Sequence, residues 1–197
     1  MGYRKKAVFK AGSHRRGRFT TGKGSKNFKR HRLCRWKDPP VVSQFVGDDD
    51  LEVQRYVASK LYDQLRNLKS KPECRYIADY HSIFYSVYWL AHNNNLVVFK
   101  KKDTESIVGV LAFSIDSPWY TRYTCLNEIF VLQTDPSYHG FGRKALEFFK
   151  KTAKENGCVL IETGASMTDE PKILENLYKR HGKCTFSYPN FVWVLAN

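Results

Sequence analysis

The first 37 residues of this 197-residue sequence contain no Asp and no Glu. The same segment holds 14 of the 33 Lys and Arg residues, so the other 19 basic residues balance the 19 acidic residues that follow. The formal net charge of +14 therefore belongs to the N-terminal segment alone. Because this segment has no acidic partners and no periodic apolar pattern, we predict a flexible basic arm over residues 1–40.

Three further absences narrow the class of protein. No apolar run approaches the ~18–20 residues that a membrane helix needs, and no apolar segment follows the basic N-terminus, so neither a membrane span nor a secretory signal is expected. The five cysteines include no Cys-x-x-Cys pair, which argues against a disulfide framework or a zinc ribbon. His31 and Cys34 lack a second pair of ligands, so no metal is predicted. We expect a reducing intracellular compartment, either the cytoplasm or the nucleoid.

The basic arm has the composition of a nucleic-acid-binding segment. Lys and Arg neutralise phosphates and release counterions, and the interspersed aromatic residues can stack on unpaired bases. The alternative is a solvated tail without a specific partner. We predict that the arm binds RNA or DNA, and the residues expected to contact nucleic acid are Arg4, Lys5, Lys6, Arg15, Arg16, Arg18, Lys29, Arg30, Arg32 and Arg35.

Residues 41–197 read as one α/β domain without internal repeats. The predicted order of elements is β-α-α-β-β-β-α-β-α-β-β. Three consecutive strands, Leu96–Lys100, Ser106–Ile115 and Tyr123–Gln133, are joined by turn sequences, which is typical of antiparallel pairing. A helix follows through Leu146, Phe149 and Ala153, and Pro171 is suited to the first turn of a later helix.

The junction between the third of these strands and the next helix carries a Gly-x-Gly sequence, Gly140-Phe141-Gly142. Glycines allow a ligand to approach the backbone closely, and the amides at a helix N-terminus bind anions such as a pyrophosphate. Arg143 and Lys144 add positive charge at the N-terminus of the helix, where the helix dipole disfavours it. Phosphates bound at this position would account for the two positive charges. A tight turn alone would also explain the two glycines.

At these residues the chain resembles the GNAT superfamily of N-acyltransferases. Asn127–Val131 is similar to the fourth strand of that family. Residues 137–142 are similar to its pyrophosphate loop, and Asn176–Gly182 is similar to the end of its late helix. The resemblance covers about residues 41–197. It implies a mixed, mostly antiparallel twisted sheet flanked by helices.

The resemblance also implies acetyl-coenzyme A as the acyl donor and an amine as the acceptor. Glu128 matches the position of a catalytic base in several family members, and Tyr178 matches the usual catalytic acid. A surface strand position and a packing role are the alternatives for these two residues. The residues expected to bind the coenzyme are Val131, Gln133, His139, Gly140, Phe141, Gly142, Arg143 and Lys144.

Two functions are therefore expected from the sequence. The first is an N-acetyltransferase that the arm directs to a nucleic-acid-associated target. The second is an inactive GNAT-like binding protein of a ribonucleoprotein or viral particle, anchored by the same arm. The glycine loop favours the first function. Ser137 favours the second, because the family usually has Arg or Gln at this position.

Overall fold

The computed structural model of the protein describes residues 39–69, 71–119, 122–164 and 168–182. The predicted arm and the two strands predicted near 184–195 lie outside the described residues. The described elements follow the predicted order, except that one additional short helix precedes the three consecutive strands. Its elements are β1 (Val41–Phe45), α1 (Leu51–Asn67), α2 (Cys74–Ile77), α3 (Tyr80–His92), β2 (Leu96–Lys101), β3 (Ile107–Asp116), β4 (Cys125–Gln133), α4 (Phe141–Glu155), β5 (Leu160–Glu162) and α5 (Pro171–Leu177), which continues into a π-helical turn (Tyr178–Gly182).

The five strands form one sheet in the order β1-β2-β3-β4-β5. Pairing is antiparallel from β1 to β4, and β4 pairs with β5 in parallel. Turns join β2 to β3 and β3 to β4, whereas the chain passes through α1, α2 and α3 between β1 and β2. The parallel pair needs the crossover that α4 provides. The predicted fold class, a mixed and mostly antiparallel sheet flanked by helices, is confirmed.

Hydrophobic cores lie on both faces of the sheet. On one face, β2, β3 and β4 pack against α1 and α3, and Val57, Leu61 and Val87 are buried there. On the other face they pack against α4, whose Ala145, Phe149 and Ala153 recur at helical spacing and are buried. This apolar stripe holds α4 against the sheet. Complete burial of Phe149 contributes about 1.5–3 kcal/mol of transfer free energy.

One helix boundary differs from the prediction. Apolar residues at helical spacing from Ile77 to Ala91 predict one second helix that begins near Ile77. In the structure this residue ends the separate short helix α2. The longer helix α3 begins at Tyr80, because Asp79 caps it by accepting a hydrogen bond of 2.7 Å from the Ser82 amide. An aspartate in extended conformation at this position is a strong start signal that apolar periodicity does not include.

Candidate active site

Strand β4 has an open edge beside the candidate residues. Its pairing with β5 covers only Cys125 to Asn127, whereas its pairing with β3 continues to Gln133. In the described part of the chain, the backbone of 128–133 is thus bonded to a strand on one side only. The unpaired backbone groups of such an edge can bind an extended ligand.

A β-bulge interrupts β4 at the start of this edge. Phe113 pairs with Glu128 and Ala112 pairs with Phe130, which leaves Ile129 as the extra residue. Ile129 is 44% exposed, and it lines a cavity of about 420 Å³ between α1, α2 and α3. Since bulges turn neighbouring side chains in new directions, Glu128 and Ile129 face different regions of the molecule.

Glu128 and Tyr178 meet beside this edge, although 50 residues separate them. The phenol of Tyr178 donates a hydrogen bond of 2.6 Å to Oε2 of Glu128. The Gly164 amide, just beyond β5, also donates to the Glu128 carboxylate. Tyr178 is buried, with 9% of its surface exposed. An acid and a base that come from distant elements and touch in a partly buried position are a typical arrangement of an active site.

The surroundings shift the pKa values of both groups. Burial raises the pKa of the Glu128 carboxyl from 4.5 to about 7, although the hydrogen bonds from Tyr178 and Gly164 lower it. Burial and the adjacent Glu128 charge raise the pKa of the Tyr178 phenol well above its usual range. Tyr178 therefore keeps its proton at neutral pH, while Glu128 can exchange one there.

Side-chain contacts hold the first part of the loop between β4 and α4. The carboxylate of Asp135 accepts hydrogen bonds from the Ser137 amide at 2.9 Å and the Ser137 hydroxyl at 2.6 Å. Lys101 forms an ion pair with Asp135 at 2.8 Å. These contacts lower the pKa of Asp135 to about 2, and the hydrogen bond from Lys101 has a larger effect than those from Ser137. The Gln133 side chain donates to the carbonyls of Asp135 and Tyr138, each at 2.8 Å.

This loop leads into the N-terminus of α4. The helix begins at Phe141, and Gly140 precedes it without a side-chain cap. The first N–H groups of an α-helix have no partners within the helix, and the helix dipole adds partial positive charge there. The end of α4 next to the open edge of β4 is thus suited to bind an anion.

Solved acetyltransferase structures share this architecture. A GNAT family acetyltransferase from Staphylococcus aureus has a TM-score of 0.53 and 14% identity, covering 79% of this chain and 98% of its own. An aminoglycoside acetyltransferase from an uncultured soil metagenomic sample, solved with sisomicin, has a TM-score of 0.54 and 16% identity over 79% and 97% of the two chains. A ribosomal-protein-alanine N-acetyltransferase from Brucella melitensis has a TM-score of 0.52 and 11% identity over 79% and 99%.

This chain has the GNAT fold. The likeness rests on structure, since no protein-family model and no curated protein matches the sequence. The β4, loop and late-helix segments of the sequence resemble the GNAT superfamily, and this resemblance is confirmed at the level of the fold.

The predicted coenzyme-binding residues lie together at the open edge of β4 and the start of α4. Their side chains differ in burial and in the contacts that they already make. The ring of Phe141 is buried and packs over Gly109, where an added Cβ would lie 2.3 Å from it. Only the backbone of Phe141 can therefore face a ligand. Lys144 forms an ion pair of 2.8 Å with Glu147. Of the other residues, Val131 and Gln133 are on β4, His139 and Gly140 are in the loop, and Gly142 and Arg143 are in the first turn of α4.

Sequence reasoning missed several residues that shape the site. Asp135 precedes a proline and a serine and reads as an ordinary turn residue, whereas it anchors the loop to Lys101 of β2. The amide of Gly164 carries no sequence signal for its hydrogen bond to Glu128. Both contacts join segments that are distant in sequence, so only the fold reveals them.

Two features are absent from the described residues. No helix there is both long and apolar enough to cross a membrane. The same part of the chain holds no cluster of three or more His, Cys, Asp or Glu side chains arranged to bind a metal ion.

Proposed function

We propose that this protein is an N-acetyltransferase that transfers the acetyl group of acetyl-coenzyme A to an amine. One observation carries the proposal: Tyr178 is hydrogen-bonded to Glu128 at 2.6 Å, beside the open edge of β4 and the start of α4. This position would combine a proton acceptor, a proton donor and a helix end suited to bind an anion.

The acyl donor would be held mainly by backbone groups. The edge of β4 at Val131 and Gln133 would bind the extended pantetheine arm, and the amides of residues 139–142 would bind the pyrophosphate. The amides of Arg143 and Lys144 already donate to the Gly140 carbonyl, each at 3.2 Å. Arg143 would add positive charge. Lys144 would have to leave Glu147, its partner at 2.8 Å, to reach a phosphate. Acetyl-coenzyme A supplies the activated thioester.

Glu128 and Tyr178 would handle the protons of the reaction. Glu128 accepts the proton that the attacking amine loses, and Tyr178 donates its proton to the leaving sulfur. A proton that passes from Glu128 to Tyr178 along their hydrogen bond then restores both groups. The two residues would act as one unit, so that loss of either interrupts the same transfer.

The basic arm would direct this activity to a nucleic-acid-associated acceptor. Its 14 positive charges lie in residues 1–37 without any acidic residue, and such a segment suits a phosphate backbone. One protein of similar fold is a ribosomal-protein-alanine N-acetyltransferase, which supports a ribonucleoprotein component as the acceptor.

A second candidate is a GNAT-like binding protein without turnover, which the arm anchors in a ribonucleoprotein or viral particle. Ser137 favours it, because this residue replaces the long Arg or Gln side chain usual in the family. Ser137 instead bonds to Asp135 within the loop. The two candidates differ in whether the site binds acetyl-coenzyme A.

Calorimetric titration with acetyl-coenzyme A tests the proposal without knowledge of the acceptor. Acetyl-pantetheine, which has the thioester but lacks the pyrophosphate, is the matched ligand. We expect binding of acetyl-coenzyme A and much weaker binding of acetyl-pantetheine, because only the former reaches the amides of α4. Absence of binding at millimolar acetyl-coenzyme A would favour the binding protein.

A further inference from the structure

The segment that carries Tyr178 is tied to α4 at two points. Helix α5 ends at Leu177, and a π-helical turn continues from Tyr178 to Gly182. Turns of this type are rare and frequently occur at functional sites. The direction of the Tyr178 phenol therefore depends on how this short segment docks.

The first tie is the contact of Leu177 with Gly142 in the first turn of α4. A Cβ added at Gly142 would lie 2.7 Å from Cδ2 of Leu177, closer than carbon atoms pack. The missing side chain of Gly142 thus leaves the space that Leu177 fills. Because Tyr178 is the next residue, a shift of Leu177 also shifts Tyr178.

The second tie is a hydrogen bond at the other end of the π-helical turn. Nζ of Lys150, on α4, donates to the carbonyl oxygen of His181 at 2.7 Å. Carbonyls at the end of a helix lack partners within it, and a lysine is a favourable partner for them. Tyr178 lies between the two ties, one residue after Leu177 and three before His181.

We infer that Gly142 and Lys150 are positioning residues, which hold the end of α5 on α4 so that Tyr178 stays hydrogen-bonded to Glu128. This assigns Gly142 a role within the protein in addition to any contact with an acyl donor. The effect on catalysis rests on the proposed function, whereas the positioning of Tyr178 is a property of the free protein.

Loss of either tie should have the same consequence as loss of the phenol itself. The Tyr178 hydrogen bond lowers the pKa of Glu128, so loss of this bond raises that pKa while the carboxyl stays buried. It also separates the proton donor from its partner, and small displacements in a site of this kind reduce kcat by about 10²-fold in the severe case. Affinity for the acyl donor should change little with Lys150, which lies two turns beyond the start of α4.

Carbon NMR of the carboxyl groups of the free full-length protein measures the pKa of Glu128 directly, with Glu128→Gln to assign the signal. We expect Lys150→Met to raise this pKa in the same direction as Tyr178→Phe, and Lys150→Arg to restore it. Lys151→Met is the matched control, because this neighbouring side chain is 74% exposed and pairs only loosely with Glu155 at 3.8 Å. An unchanged Glu128 pKa in Lys150→Met would overturn the role of Lys150.

Gly142 is tested in two backgrounds. Gly142→Ala should raise the Glu128 pKa in the wild-type chain and should have little effect in Leu177→Ala, where the added methyl group finds space. Gly47→Ala is the control, since a Cβ there meets nothing closer than 3.8 Å. An equal effect of Gly142→Ala in both backgrounds would contradict the packing role.

Kinetics then separate this inference from the proposed function. If the protein acetylates an amine, Lys150→Met should lower kcat by about 10-fold or more while KM for acetyl-coenzyme A stays within about twofold. A change of KM alone would contradict a positioning role. If acetyl-coenzyme A does not bind the wild type, the proposed function fails, and the NMR result still decides whether the two ties position Tyr178.

Discussion

The raised pKa of Glu128 makes the stability of the folded protein depend on pH in a way that one substitution can isolate. The carboxyl has a pKa of about 7 in the folded protein, against an ordinary value of 4.5. Folding therefore favours the protonated form. This contribution to stability is complete below pH 4.5 and is lost as the pH rises through about 7. At about 1.4 kcal/mol for each pH unit, the loss amounts to about 3 kcal/mol.

Glu128→Gln should remove this dependence, because a glutamine side chain resembles the protonated acid and does not ionise. We expect the free energy of unfolding of the wild type, relative to the variant, to fall by about 3 kcal/mol between pH 4.5 and pH 8. For a chain of this size that difference corresponds to about 6–12 °C in Tm. Urea titrations of both proteins at several pH values measure it.

Two further variants sharpen this test. Tyr178→Phe removes a hydrogen bond that lowers the pKa of Glu128, so the fall in stability should extend to higher pH. Glu162→Gln changes an exposed carboxylate on β5 and serves as the control. A constant difference between wild type and Glu128→Gln across this pH range would refute the conclusion that burial holds Glu128 partly protonated.

Three other outcomes are expected. If the protein is an acetyltransferase, Glu128→Gln and Tyr178→Phe should each lower kcat by about 10²–10⁴-fold. The kcat of the double variant should be close to that of the slower single variant. A loss of kcat equal to the product of the two single losses would mean that the residues act independently. Deletion of residues 1–37 should abolish binding to a labelled oligonucleotide in fluorescence anisotropy. The logarithm of the wild-type affinity should fall with the logarithm of the salt concentration with a slope of about −4 to −9, for ~6–10 phosphate contacts. Equal affinity of both proteins would show that the arm is not responsible for binding. Lys101→Met should raise the pKa of Asp135, measured by carboxyl NMR, and should weaken binding of acetyl-coenzyme A. The lowered pKa of Asp135 stabilises the folded protein above pH 3.8, and this stabilisation is lost as the pH falls toward 2. The variant should therefore be less stable than the wild type at neutral pH but not at pH 2.

Local patterns in the sequence predicted the order of the elements, and the resemblance to the GNAT family predicted the type of sheet. Neighbouring residues determine the apolar run of β3, the turn between β3 and β4, and the apolar stripe of α4 through Phe149. The glycines at 140 and 142 mark the junction between strand and helix for the same reason. Glu128 and Tyr178 were predicted as candidates because their surrounding segments resemble the GNAT family, and their catalytic roles stay predictions.

The tertiary structure decided how these residues interact. Nothing near Glu128 in the sequence predicts the bulge at Ile129, because a bulge depends on the register with β3. The hydrogen bond between Glu128 and Tyr178, the burial that raises the pKa of Glu128, and the contact of Gly142 with Leu177 all join elements far apart in the chain. Residues that are close in sequence determine helices, strands and turns. Packing determines which polar groups lose contact with water and which protein groups take the place of that water. For that reason the sequence alone identified the candidate residues, and only the folded chain determined their contacts and their ionisation.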